Sequence, residues 1–379
     1  MAASITNPFI ISGKYISEEY FCDREEETRE LTGNIINWRN CVLASPRRMG
    51  KSAFIAHTFC QPEISKDYEC LYIDIYASSS LDDFVLLLGK EITSRLQSRG
   101  DKLAERFFSA VSSIKGSFCI DPVTGAPSFD LSLGELTSPS KTLEQLFAFL
   151  ESSKRPCVVA IDEFQQIADY PDGKKVIAAM RTLVQSCRQT RFIFAGSNRR
   201  MMGLLFNTPS EPFFMSCAQV PLGPIGKDAY REFSTRHFKT AGKDLPAECF
   251  DAVYDKFEGH TWYIQYVLNV LYEMTAEGSA ACPRMIGQAL EHILGIFNVT
   301  YQNLLANYSD KQRRLLIAVA KEGKVTGILS GKFISAHRLG SASSVQGALK
   351  PLLEDESIVR SADEYSVGNR FFSLWLARR

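Results

Sequence analysis

The residues best suited to chemistry are Gly50, Lys51 and Ser52, in the segment NCVLASPRRMGKSAFI. Such a sequence between a strand and a helix can bind a polyphosphate, because backbone N–H groups and the lysine contact phosphate oxygens while the hydroxyl binds Mg²⁺. The spacing matches GxxxxGK[ST] except that Ser45 replaces the first glycine. Serine adopts positive φ less readily, so we expect a slightly altered loop. The predicted nucleotide-binding residues of this loop are Ser45, Pro46, Arg47, Arg48, Met49, Gly50, Lys51, Ser52 and Ala53.

Two adjacent acidic residues, Asp162 and Glu163, follow the apolar run CVVAI and form a second candidate site. In phosphoryl transfer one carboxylate can hold Mg²⁺ through water, and the next can orient or deprotonate the attacking water. Two acids at this position are also typical of an ordinary solvated strand end. Because a phosphate-binding loop precedes them, we predict that Ser52 and Asp162 bind the metal. The predicted catalytic residues are Lys51, Asp162 and Glu163.

A third polar strand end follows the run RFIFAG, where Ser197 and Asn198 come next. A polar side chain at the tip of a neighbouring strand can contact the γ-phosphate or the attacking water. Ser197 is therefore a predicted nucleotide-binding residue, although Gly-Ser-Asn is also an ordinary turn sequence. Arg199 and Arg200 follow. Either guanidinium can stabilise transition-state charge within the chain or across a subunit interface, and the alternative is a solvated basic turn.

Short apolar runs alternate with amphipathic stretches between about residues 40 and 224. Continuous apolar runs rich in Val and Ile are typical of strands buried on both faces of a parallel sheet, and the stretches between them have helical spacing. The predicted fold class is therefore α/β, a parallel sheet with helices on both faces. The predicted strands are residues 41–44, 70–76, 157–162, 191–196 and 219–225, and the predicted helices between them include residues 81–96, 143–150 and 174–187.

The pattern of elements predicts three regions. Residues 1–226 form the α/β core, with an inserted hairpin at about 114–134 because two alternating segments surround the turn sequence PVTGAP. Residues 227–308 show helical spacing without strand signals and are predicted as an all-helical region. Residues 309–379 contain three helices and then two short strands, which is typical of a winged helix-turn-helix. Aromatic residues of the helical region that are predicted to be core are Trp262, Tyr263 and Tyr266.

The predicted winged helix offers a surface for duplex DNA. Its third helix is expected to enter the major groove while the wing contacts phosphates. Against this, Gly347 and Pro351 lie within that helix and an acidic segment follows it at residues 354–356. A protein-binding or regulatory winged helix is the alternative. The polar residues available for DNA are Ser343, Ser344, Gln346, Lys350 and Arg360.

The composition excludes several classes of protein. The 379 residues include 43 basic and 43 acidic side chains, so the net charge argues against a polycation that coats nucleic acid. Residues 309–379 nevertheless hold 12 basic and 7 acidic side chains, which leaves the C-terminal region basic. The ten cysteines include no CxxC pair, which indicates reduced thiols rather than disulfides or zinc sites. With no secretory leader and no transmembrane run, we expect a cytoplasmic protein without a membrane partner.

The chain contains five ordered motifs, FCDREEE, PRRMGKS, VVAIDEFQ, FAGSNRRMMGLLF and EGHTWYIQYV. Together they resemble the motifs of AAA+-type ATPases of the archaeal ATPase/STAND branch. The resemblance implies an ASCE-type P-loop NTPase core, a helical lid at residues 227–308 and a winged helix, with ATP and Mg²⁺ as cofactors. The chain departs from the pattern at Asp23, Ser45 and Thr261, and Ser216 stands where relatives often carry an arginine. Hydrolysis is therefore expected to be slow, or to depend on Arg199, Arg200 or a partner subunit.

Together these features favour an ATP-binding and ATP-hydrolysing protein that acts as a nucleotide-dependent switch. One alternative is an ATP-regulated DNA-binding protein that acts through the winged helix. Another is a nucleotide-binding scaffold with little hydrolysis. The expected partners are ATP, duplex DNA through the winged helix, and a protein partner or a second copy of the chain.

Overall fold

A computed structural model describes residues 7–13, 17–97, 117–120, 127–130 and 138–379. The described chain divides into two compact units. The first is Ser12–Ile225, and the second is Gly226–Arg379 together with the N-terminal residues up to Ile11. The segments predicted as a lid and as a winged helix both lie in the second unit.

A parallel sheet forms the centre of the first unit, with strand order β2-β5-β6-β1-β7. Most strands match the predicted apolar runs, but the last one is limited to two residues. A separate antiparallel pair, β3 and β4, lies where the inserted hairpin was predicted, and the turn between them falls outside the described residues. The strands are β1 Cys41–Ala44, β2 Glu69–Asp74, β3 Ser117–Ile120, β4 Pro127–Asp130, β5 Cys157–Asp162, β6 Thr190–Gly196 and β7 Ala218–Gln219.

Helices cover both faces of this sheet, because alternate residues of its strands point to opposite sides. Val159 and Phe194 belong to the apolar cluster formed with α4 to α7, whereas Val158 and Ile193 belong to the cluster formed with α1 to α3. All four side chains are buried. The predicted α/β class is confirmed. The helices are α1 Glu25–Ile36, α2 Lys51–Cys60, α3 Pro62–Ser65, α4 Leu81–Gln97, α5 Pro139–Glu151, α6 Gly173–Ser186 and α7 Arg199–Asn207, and 3-10 helices span Glu18–Tyr20 and Phe164–Asp169.

The first part of the second unit is a group of helices joined by the N-terminal segment. Phe9 is fully buried there, with its ring 5.6 Å from that of Phe238 and 5.8 Å from that of Tyr272. Asn7 Nδ2 donates to the Asn269 carbonyl at 2.9 Å, and Asn269 Nδ2 donates to the Phe9 carbonyl at 2.8 Å. Residues 283–308 form two consecutive helices that meet at Phe297. The helices are α8 Lys227–Thr240, α9 Ala247–Lys256, α10 Thr261–Met274, α11 Pro283–Ile296 and α12 Asn298–Ala306.

The remainder of the second unit is a winged helix. Helix α13 begins with a capping box formed by Ser309 and Gln312, and α15 continues through Gly347 and Pro351 to Glu354. The antiparallel sheet has the order β8-β10-β9. The pattern predicted neither β8 nor α16. The elements are α13 Asp310–Glu322, β8 Val325–Thr326, α14 Gly331–Ala336, α15 Ala342–Glu354, β9 Ile358–Ser361, β10 Glu364–Val367 and α16 Arg370–Leu376.

Aromatic side chains join these two parts of the second unit. Phe371 of α16 is fully buried, and its ring lies 4.9 Å from Tyr263 and 5.7 Å from Trp262 of α10. Tyr266 packs on Phe297 at 5.6 Å. The predicted core role is confirmed for the buried Tyr263, and the other two are half-buried on the same rings. The winged helix therefore shares a core with the helices before it.

The cysteines whose side chains the structure describes carry free thiols. Burial raises the pKa of Cys41 and of Cys187 to about 12, so both stay protonated at neutral pH and pack as small apolar side chains. Among the described helices, none combines the length and the apolar character that crossing a bilayer requires.

Candidate functional site

The loop between β1 and α2 has the geometry of an anion site. Gly50 has φ +88° and directly precedes Lys51, the first residue of α2, so backbone N–H groups at the helix start face the loop. The buried Lys51 donates from Nζ to the Ser45 carbonyl at 3.3 Å. Of the other predicted loop residues, Met49 is buried, Pro46, Arg48, Ser52 and Ala53 are half-buried, and Arg47 is exposed.

Ser45 fits this loop without the distortion that the sequence suggested. Positive φ occurs at Arg48 and Gly50 but not at Ser45, so a glycine is not needed at the first position. The Ser45 hydroxyl is buried and donates to the Leu222 carbonyl at 3.0 Å. The serine thus joins the loop to the chain that follows β7.

Asp162 ends β5 beside the loop and is buried. Its Oδ2 atom accepts a hydrogen bond from Ser52 Oγ at 2.9 Å and another from the Tyr72 hydroxyl. Burial and the neighbouring Asp162 charge raise the pKa of Tyr72, which keeps the phenol a donor. A hydroxyl and a carboxylate next to each other are oxygen ligands of the kind Mg²⁺ prefers, so Ser52 and Asp162 fit this ion.

Glu163 follows in a left-handed conformation, with φ 58° and ψ 38°, which turns the chain out of the strand into the 3-10 helix. Its Oε2 atom accepts hydrogen bonds from Ser197 Oγ at 2.6 Å, Ser197 N at 3.3 Å and Gln165 Nε2 at 2.5 Å. Burial raises the pKa of Glu163, but these hydrogen bonds and the Lys51 charge outweigh it. The net shift is downward, so Glu163 is ionised at neutral pH.

Arg47, predicted as a nucleotide-binding residue of the loop, contacts Ser197. Its Nε donates to Ser197 Oγ at 3.3 Å, and its guanidinium carbon lies 5.7 Å from the centre of the Tyr76 ring. Arg199 and Arg200 are exposed at the start of α7. Asn198, which precedes them, caps that helix by accepting from Met201 N at 2.9 Å. Position 216, where the resemblance would place an arginine, holds a serine whose hydroxyl donates to the Phe213 carbonyl at 2.7 Å.

Two residues at the site were not predicted from sequence. Tyr72 lies on β2, which pairs with β5 in a register that places Asp74 opposite Asp162. The strand order, which the apolar runs do not reveal, brings its hydroxyl to Asp162. Gln165 follows Glu163 by two residues, and that proximity was the only signal in the sequence. The structure thus brings Lys51, Ser52, Asp162, Glu163 and Ser197 to one edge of the sheet.

The winged helix residues suggested for DNA have varied surroundings. Ser343, Gln346 and Lys350 are exposed on α15, and Ser344 is half-buried. A concavity of about 280 Å³ is lined by Ser343 and Ser344 of α15 and by Lys311 at the start of α13, among other residues. Arg360 of the wing donates to the Ala362 carbonyl and to Asp363 Oδ1, at 2.9 and 3.1 Å.

Comparisons with known proteins agree with this architecture. A family model described as a probable winged helix domain matches residues 299–378. The Walker-type ATPase of Pyrococcus abyssi is 19% identical, with a TM-score of 0.67 over 98% of this chain and 100% of that chain. The Aeropyrum pernix ORC2 protein, solved in ADPNP–ADP complexes, is 11% identical, with a TM-score of 0.58 over 98% and 97%.

The Aeropyrum pernix ORC1 protein, solved in complex with DNA, is 12% identical, with a TM-score of 0.51 over 94% of this chain and 92% of that chain. A comparison with curated protein sequences finds no match. At these identities the structural likeness establishes the fold. The chain has the parallel α/β fold of P-loop ATPases, followed by a C-terminal winged helix domain.

Proposed function

We propose that this chain is a Mg²⁺-dependent ATPase that acts as a nucleotide-dependent switch. The observation that carries the proposal is the 2.9 Å hydrogen bond between Ser52 of the loop and Asp162 at the end of β5. This contact brings a phosphate-binding loop and a pair of carboxylates to one edge of the sheet, where P-loop chemistry requires them. The fold shared with Walker-type ATPases supports the same conclusion.

Each residue has a role that follows from its position. Lys51 and the backbone at the start of α2 bind the β- and γ-phosphates. Ser52 and Asp162 hold Mg²⁺, which neutralises phosphate charge when bound. Glu163 is ionised and accepts a hydrogen bond from the attacking water, orienting it or taking its proton. Arg47, in contact with Ser197, supplies positive charge next to Glu163.

The switch function rests on the second unit. The chain passes between the units at Ile11–Ser12 and at Ile225–Gly226. Because the winged helix shares an aromatic core with α10, a displacement of these helices carries the winged helix with it. We therefore propose that the nucleotide state moves lid and winged helix together as one body.

Two substitutions test the ATPase proposal. Lys51→Ala is expected to abolish ATP binding, measured with a fluorescent ATP analogue. Glu163→Gln is expected to retain ATP binding and to lose multi-turnover phosphate release. Glu63→Gln and Lys66→Ala change exposed residues of the same unit and serve as matched controls. Wild-type turnover in Glu163→Gln would contradict its role, and wild-type protein that binds ATP without phosphate release would favour the scaffold alternative.

A second candidate function, binding of duplex DNA, is favoured by the exposed face of α15. Ser343, Gln346 and Lys350 lie there, and Ser343 lines a concavity together with Lys311 of α13. Binding that depends on lysine–phosphate contacts should weaken steeply with salt. Titration of a labelled duplex with and without ATP tests this function. Absence of binding at about 50 mM salt would exclude it.

A further inference from the structure

We propose that Gln165 is a positioning residue that fixes the Glu163 carboxylate in the orientation from which it orients or deprotonates the attacking water. The inference rests on the ATPase function proposed above. Gln165 lies on the 3-10 helix after Glu163 and is 9% exposed. Its Nε2 atom donates to Glu163 Oε2 at 2.5 Å. A contact this short from a buried side chain restricts the rotation of the carboxylate.

Within the described ranges, the donors to this carboxylate contact one of its two oxygens. Oε2 accepts from Gln165 Nε2, from Ser197 Oγ and from Ser197 N. Among the described residues, no donor contacts Oε1. The carboxylate is therefore held by one oxygen, and the other is available as the acceptor for water. Ser197 approaches from the end of β6 and Gln165 from the 3-10 helix, so the two side chains fix the group from two elements.

The orientation of the Gln165 amide follows from its surroundings. Reversing the amide would place Oε1 against Glu163 Oε2, and two acceptors would repel each other. In the observed orientation Oε1 is buried and has no hydrogen-bond partner in the described part of the chain. A buried unpaired carbonyl lowers stability, which an apolar residue of similar length would avoid. What glutamine provides here is the donor to Glu163.

The neighbouring strand is adapted to the same side chain. Gly196 is buried at the end of β6, and a Cβ atom there would lie 2.4 Å from Gln165 Oε1 and 2.5 Å from Met202 Sδ. No side chain fits at position 196 while Gln165 keeps its place. The glycine before Ser197 thus makes room for the amide that holds Glu163.

The test uses Gln165→Met, which keeps an unbranched side chain of similar length but removes the donor. We expect kcat to fall by about tenfold to a hundredfold with the KM for ATP and the affinity for a fluorescent ATP analogue unchanged. Gln166→Met is the matched control, because Gln166 is half-buried and the hydrogen bonds to the Glu163 carboxylate come from Gln165 and Ser197 instead. If the methionine variant fails to fold, Gln165→Leu replaces it.

A double substitution distinguishes positioning from general damage. Glu163→Gln alone should lower kcat to a floor, and adding Gln165→Met should lower it no further, because Gln165 acts through Glu163. A further loss in the double variant would overturn the proposal. So would unchanged or faster turnover in Gln165→Met, or a parallel loss of ATP affinity. If Glu163→Gln itself turned over normally, the proposed catalytic role of Glu163 would fail and Gln165 with it.

Discussion

The carboxyl edge of the parallel sheet and the exposed face of α15 both carry polar and charged residues, but they hold them differently. At the sheet edge Lys51 and Asp162 are buried and hydrogen-bonded within the chain. On α15, Lys350 and Gln346 are exposed at the surface. The buried, hydrogen-bonded side chains of the sheet edge are pre-organised for one chemistry, whereas the exposed side chains of α15 can bind partners of several kinds.

This difference shows where geometry alone can assign a role. Buried polar groups are costly unless paired, so their partners indicate what the site is built for. Exposed charges have little cost, and their presence on a helix supports binding without specifying it. The substitutions below test each region and the aromatic core that connects the winged helix to the lid.

The largest expected effect comes from the aromatic core. Phe371→Ala removes a fully buried ring packed against Tyr263 and Trp262, so the free energy of unfolding should fall by about 3–5 kcal/mol. Chemical denaturation followed by tryptophan fluorescence measures this loss. Phe214→Ala, at a ring 37% exposed in the other unit, is the control and should cost much less. A loss below about 1 kcal/mol for Phe371→Ala would mean that the winged helix is not fixed through this ring.

The central strands could be predicted, and the contacts at their ends could not. CVLA and CVVAID are strands β1 and β5 as predicted, because strands buried on both faces consist of continuous apolar residues. The Ser52–Asp162 pair joins residues 110 positions apart. The motifs predicted both residues as site residues, but the contact between them depends on the order of the strands in the sheet.

Other features could not be predicted because an element is short or because the residues in contact are far apart in the sequence. Helix α16 has seven residues, RFFSLWL, too few to show an amphipathic period. Phe9 packs on Tyr272, more than 250 residues away in the sequence, and no local pattern reveals such a contact. Tyr72 likewise contacts Asp162, 90 positions away in the sequence. Gln165 is only two residues from Glu163, but nothing in the sequence indicates that its amide turns back to the carboxylate.

At the sheet edge, Arg47→Ala should lower kcat by about a hundredfold, because it removes the guanidinium in contact with Ser197. Phosphate release at saturating ATP measures the effect. Arg200→Ala is the control, since Arg200 is exposed at the start of α7 and should change kcat little. If Arg200→Ala lowered kcat more than Arg47→Ala, the arginine that supports turnover would lie on α7 and not in the loop.

On the winged helix, Lys350→Ala should weaken duplex binding by roughly tenfold or less. It should also reduce the slope of the logarithm of the binding constant against the logarithm of the salt concentration by about one. Arg360→Ala should have a smaller effect, because its guanidinium already binds Asp363 and the Ala362 carbonyl. Fluorescence anisotropy over a range of salt concentrations compares the two variants. A larger effect of Arg360→Ala would identify the wing, not α15, as the main DNA contact.

The smallest effect is expected at Glu258, whose carboxylate contacts Lys324 near β8 and accepts from Arg370 Nη2 at 2.5 Å. Glu258→Gln should lower the free energy of unfolding by less than about 1 kcal/mol at neutral pH, because the side chain is 39% exposed. Glu248→Gln, at an exposed glutamate of α9, is the control. Thermal and denaturant unfolding of the three proteins measure the differences.

The pH dependence of this difference separates an ion pair from packing. Burial raises the pKa of Glu258, but Lys324 and Arg370 outweigh it and hold the pKa below the ordinary value of 4.5. A lowered folded-state pKa gives stability that is present above the ordinary value and lost as the pH falls through the folded value. The wild-type advantage over Glu258→Gln should therefore be constant near neutral pH and decrease once the pH falls below the ordinary value of 4.5. An advantage that persists in acid would assign the contact to packing rather than to charge.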